Sequence, residues 1–205
     1  MTGRHLKRCS GDLTSPFRLF VRLLAQGGAV CLLITVASTP VLTQDEDGDG
    51  FLSREEILAS VFSGAEFRSE RVFLTKEQRE QIGQLSRERV LSGLVGRYVI
   101  TRGGQVVGRA YVDTHIVRTK RESLLISLDA EGSLKRIDVT AFLEPAQYIA
   151  SERWLQQYIG HPLSDEVMVQ RAIRAIAGAT LTATATNSAV RRILATDVVL
   201  EGTAR

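Results

Sequence analysis

Apolar and polar positions follow two different periods along this chain, and the change of period divides it. From Ser53 to Phe62, the residues Ile57, Leu58, Val61 and Phe62 fall on one face at helical spacing. Ser53 with Glu56 three residues on forms a capping box at the start of that helix. Arg71 to Leu74 reads as a short extended piece. Thr75 then opens a charged helix over Lys76 to Val90, with Ile82 and Leu85 facing inward. Beyond it the period shortens to two. Arg97 to Thr101 and Val106 to Val112 flank Gly103-Gly104, a two-residue hairpin signal. Ser123 to Leu128 and Leu134 to Thr140 flank Asp129-Ala130-Glu131-Gly132, a second hairpin. Along the first of these, Arg109, Tyr111 and Asp113 alternate with Ala110 and Val112. Helical signals return at Ser151 to Tyr158, at Met168 to Ile176 and over roughly Ala183 to Val199. The pattern predicts an α+β domain: an antiparallel sheet of hairpins, four strands or more, with helices before and after it packed on one face.

Upstream of Thr43 the pattern is of another kind. Arg4, Lys7, Arg8, Arg18 and Arg22 stand against the single acid Asp12, and an apolar run from Leu23 to Leu42 follows. A positive flank before an apolar stretch is the mark of a secretory signal or an uncleaved signal anchor, so a membrane segment is expected there. Either form carries the body of the chain across the membrane, to the periplasm or the cell exterior. The charge balance agrees. The whole chain carries +3, and five bases less one acid put +4 of it in residues 1–38, which leaves −1 for residues 39–205. No basic patch with interleaved aromatics remains in the body, so nucleic acid is not an expected partner. The two cysteines, Cys9 and Cys31, both lie in this leader, and no disulfide framework supports the body.

The candidate chemistry is concentrated in Ala177-Gly178-Ala179-Thr180-Leu181-Thr182, a narrow turn with hydroxyls that opens the last helix. Backbone N–H groups and the helix dipole make such a terminus a phosphate site, and Thr180 adds an ester-forming oxygen. The turn follows a Gly-Gly hairpin, a second hairpin ending in Glu144-Pro145, and Arg153-Trp154-Leu155-Gln156-Gln157-Tyr158; Ala189-Val190-Arg191 lies in the helix after it. In this order and wording, the region from Arg97 to Ala195 resembles the FMN-binding domain of the C subunit of the Na⁺-translocating NADH:quinone oxidoreductase and of the G subunit of the Rnf complex. The resemblance implies an FMN site formed by Ala177, Gly178, Ala179, Thr180, Leu181 and Thr182, with Glu144 and Trp154 near the ring; Arg174 is the candidate to pair with the phosphate of a non-covalent FMN. It also implies electron transfer between redox proteins or within a quinone-linked complex, and a flavin transferase acting on Thr180. The family's covalent pattern is Asp-x-x-Ser/Thr-Gly-Ala-Thr; here Arg174 and Ala177 occupy the Asp and Ser/Thr positions, which leaves covalent and non-covalent FMN both open. His115, in Asp113-Thr114-His115-Ile116-Val117-Arg118-Thr119, is the candidate for proton exchange with reduced flavin. An electron-transfer component fits better than a stand-alone enzyme, since no Gly-x-Gly-x-x-Gly, haem-attachment or iron–sulfur motif is present.

A second motif is unrelated to flavin. Asp45, Asp47 and Asp49 fall at positions one, three and five of an EF-hand loop, Gly50 at six and Glu56 at twelve. Phe51 would add its carbonyl and Ser53 a water, which makes Ca²⁺ the candidate metal. The expected organisation is a basic cytoplasmic flank (1–22), a signal anchor or signal peptide (23–42), a linker with the EF-hand-like loop (43–56), a helical lead-in (53–96) and an FMN-binding domain (97–205). The alternative to the flavoprotein is a calcium-stabilised binding or assembly module with a degenerate flavin site.

Overall fold

The computed structural model describes residues 50–202. The expected membrane segment and the first three calcium ligands, Asp45, Asp47 and Asp49, lie outside them. Among the described residues, no helix is long and apolar enough to cross a membrane. The body is α+β, with one five-stranded antiparallel sheet in the order β1-β2-β3-β4-β5 and four α-helices. The strands are β1 (Glu66–Phe73), β2 (Leu94–Arg102), β3 (Gln105–Ile116), β4 (Arg121–Asp129) and β5 (Leu134–Phe142). The helices are α1 (Arg54–Val61), α2 (Lys76–Ser86), α3 (Glu152–Leu155) and α4 (Thr180–Glu201). The capping box expected at Ser53 with Glu56 forms on α1, and a second, Thr75 with Gln78, starts α2.

The side chains of β3 sort onto two faces with strand periodicity. Tyr111 meets Leu124, Ile126 and Leu128 of β4 and Ala189, Val190 and Ile193 of α4 in the main core. On the other face, Tyr98, Ile100, Ala110 and Leu125 pack against Ile57 and Leu58 of α1 and Phe62, which ends it. The helices therefore cover both faces of the sheet, not one as the pattern suggested. The two-sided burial explains why β4 is buried from Glu122 to Leu128. α2 packs beside α4 through Ile82 and Ala195.

Two stretches differ from expectation. The lead-in 53–96 is not wholly helical, because it supplies edge strand β1, whose Glu70 pairs with Arg97 of β2 at 2.8 Å. An edge strand with little buried surface tolerates charge at most positions, so Glu-Phe-Arg-Ser-Glu-Arg shows no apolar alternation. Met168 to Ile176 is a folded loop rather than a helix. Its amides bond outside any helical register: Ala172 N–H donates to Glu166 and Gln170 N–H to Ile173. Gln170 is left-handed at φ +71°, and Val169 bridges to Ile173. Ile173 is in the core, with Val169 and Ile176 packed against it, which gives this loop a helical hydrophobic pattern.

Candidate functional site

A 22-residue helix leaves its first amides without helical partners, and α4 does so at an unusual cap. Its N-cap is Ala179, which makes no side-chain hydrogen bond to the first turn. Gly178 precedes it at φ +79°, a left-handed conformation that a side chain would strain. The turn is fixed from below, where the buried Thr182 hydroxyl donates to the carbonyl of Tyr148 at 2.7 Å. Thr180 is exposed at the rim.

A cavity of about 300 Å³ opens on this terminus, lined by Gly178 to Thr182 together with Val117, Arg118, Glu144 and Tyr148. Glu144 stands at the exit of β5, and its Oε1 accepts from Thr119 N–H (2.7 Å), Lys120 N–H (2.8 Å) and the Thr119 hydroxyl (3.1 Å). The amides of Thr119 and Lys120 hold the Glu144 carboxyl below the usual range. The β3–β4 turn is thereby clamped, and it carries Arg118 to the cavity. Free helix N–H groups, a cation and a small apolar wall suit an anionic ligand with a planar body. At this size, near the lower end of the roughly 300–1,000 Å³ of ligand pockets, part of such a ligand stays at the surface.

The structure thus brings Gly178, Ala179, Thr180, Leu181, Thr182 and Glu144 to one cavity. It places the other sequence candidates elsewhere. Ala177 is exposed beside the turn, outside the cavity wall. Trp154 is buried in the core, edge-on to Tyr158 at 5.4 Å, with its indole N–H donating to the carbonyl of Arg174 at 2.6 Å. Arg174 contributes that carbonyl and an amide bonded to Gln157, and its side chain does not line the cavity. Arg118 was grouped by sequence with Asp113 and His115, but the chain turn separates them. Its approach to the helix terminus depends on the β3–β4 hairpin register, and no local spacing encodes that.

His115 belongs to a different cluster. Its Nδ1 lies 2.8 Å from Asp113 and its Nε2 2.9 Å from Glu122, the residue opposite it on β4. Thr186 of α4 donates to the same Glu122 oxygen at 3.2 Å, and Arg192 donates to Asp113 at 3.0 Å. Burial opposes charging His115, but its bonds to the two carboxylates outweigh that and raise it to about 9. At neutral pH both ring nitrogens therefore carry protons and both donate. Among the described residues, no group of three or more His, Cys, Asp or Glu side chains could hold a metal ion. Glu56, the twelfth residue of the calcium loop, is engaged by its own cap, with Oε2 accepting from both the amide and the hydroxyl of Ser53. No family model, no curated protein and no solved structure matches this chain.

Proposed function

We propose that this protein is an FMN-binding electron carrier, attached to a membrane by residues 23–42 and facing the periplasm or cell exterior. The observation that carries the reading is the uncapped N-terminus of α4, which opens with Arg118 into one cavity. The phosphate sits on the first-turn amides after Gly178, where the helix dipole favours negative charge. Arg118 supplies a second positive partner. Val117, Tyr148 and Leu181 offer apolar surface to part of the ring, and Glu144 keeps the turn bearing Val117 and Arg118 in place. Bound FMN would supply one- and two-electron chemistry; the protein sets its position and surroundings. The exposed rim leaves the ring edge accessible to a redox partner.

Full-length protein purified from its native host tests this reading. It is expected to show the yellow absorbance of oxidised flavin. Colourless protein that also fails to take up added FMN would overturn the proposal. Acid precipitation then separates the two binding modes. Flavin that stays with the pellet, with a mass shift on the Thr180 peptide, establishes an ester at Thr180. Flavin released into the supernatant establishes non-covalent binding.

A further inference from the structure

A second, larger cavity of about 810 Å³ lies between the 88–94 segment, the end of β3 and the middle of α4. It exists because β2 parts from β3 while staying paired with β1. The register of β2 with β3 ends at Gly96 opposite Val112, so Asp113 to Ile116 pair with β4 alone. The chain from α2 to β2 stands away from this stretch and closes the far wall. Ile82, Leu91, Val95, Ala185 and Ile193 make much of the lining apolar.

The polar wall is one-sided. Arg89, His115, Arg121 and Arg192 line the cavity against only Glu88 and Asp113. With His115 protonated at neutral pH, the balance stays positive even when Glu122, bonded behind His115, is counted. Arg192 bonds both Asp113 oxygens through Nη2, and among the described residues its Nη1 has no hydrogen-bond partner. Ser188, one turn earlier on the same face of α4, is half-buried, and its hydroxyl likewise has no partner among the described residues. A free guanidinium donor and a free hydroxyl at the edge of an apolar chamber are the recognition pattern of a carboxylate.

We propose that this cavity binds a small organic acid with an apolar body, its carboxylate accepting from Arg192 Nη1 and the Ser188 hydroxyl. Its body packs against Leu91, Val95 and Ile193. The site is separate from the turn at Thr180 and does not depend on flavin binding there.

Calorimetric titration of the full chain with naphthalene-2-carboxylate, and with the uncharged naphthalene-2-carboxamide, tests it. The carboxylate is expected to bind and the amide to bind about tenfold more weakly or less, the scale of a lost charge-assisted hydrogen bond. Arg192→Gln should erase the difference between the two compounds. Because that variant also loses the pair with Asp113, Ala185→Phe serves as the second probe: it fills the chamber while keeping Arg192 and Asp113, and should abolish binding of both. Equal affinity for acid and amide in the unaltered protein would overturn the proposal, as would binding that survives Ala185→Phe. FMN content, measured on the same preparations, should be unchanged in both variants, so failure here and failure of the flavin reading are told apart.

Discussion

At the scale of single residues, the body is held by ion pairs that the fold buries. Asp197 of α4 accepts from Arg109 Nε, from Arg109 Nη2 at 3.0 Å and from the Tyr111 hydroxyl at 2.8 Å. Burial and the neighbouring Asp197 both push Tyr111 upward, so it stays a neutral donor. His115 makes the same kind of tie further along β3, between Asp113 and Glu122, and its pH consequence can be worked out. Its folded value of about 9 lies above the roughly 6.5 of an unfolded histidine, so the folded state holds the proton more tightly. The stabilisation is therefore complete below about 6.5 and is lost as pH rises through about 9. Denaturant midpoints taken across that window should fall with rising pH in the natural protein. In His115→Gln the fall should be absent or much reduced. An unchanged slope in the variant would show that His115 is not the titrating group. The same geometry bears on its expected role: a ring with both nitrogens on carboxylates is a fixed cation, poorly placed to pass protons to the cavity at Thr180.

At the scale of elements, the residue that ends α1 meets the sheet tightly at Gly108. Gly108 of β3 lies under Phe62, and a Cβ added there would stand 2.6 Å from the carbonyl oxygen of Leu128 and against the Phe62 ring. The Leu128 oxygen is backbone and cannot swing aside. Gly108→Ala should therefore destabilise the body by about 1–3 kcal/mol, the usual cost of forced overpacking. A urea transition shifted to lower midpoint at unchanged slope would confirm it; a midpoint equal to the natural protein's would show that both Phe62 and the β4 backbone give way there without cost. That contact also marks a limit on what was legible in the sequence. Both hairpins, both capped helix starts and the final helix could be read from local signals, because Gly-Gly, the capping boxes and the strand alternation act within a few residues. Which face α1 covers was not legible, because Gly108 declares the contact only once the strands are paired. Nor was the loop through Met168 to Ile176: it is held from outside by Trp154, whose indole N–H donates to the Arg174 carbonyl, and by Gln157, whose side-chain oxygen accepts from the Arg174 amide. The helix-opening turn was readable residue by residue, whereas the convergence of Arg118 and Tyr148 on it needed the whole sheet.

At the scale of the molecule, α4 carries both cavities and the clasp on the sheet. At its start lies the Thr180 turn, in its middle the cavity with Ser188 and Arg192, and at its end the clasp of Asp197 and Glu201 on Arg109 and Arg97. The turn is also fastened to the rest, through Thr182 to Tyr148 and Thr186 to Glu122. The cavity at Thr180 needs β3, β4, β5 and α4 in place, so it has no counterpart in the unfolded chain. A ligand held there stabilises the folded state by RT ln(1 + [L]/Kd). Above saturation, each tenfold increase in free ligand then adds about 1.4 kcal/mol, or about 3–6 °C in Tm for a chain of this size. Colourless protein titrated with FMN should show that climb if binding is non-covalent. Riboflavin carries the same ring without the phosphate, and so forgoes the α4 terminus and Arg118. It should shift Tm much less at equal concentration. Equal shifts from the two compounds would take the helix terminus out of the recognition and leave the ring contacts as the whole of the site. A larger shift from FMN that disappears in Arg118→Ala would place the phosphate between that side chain and the first turn of α4.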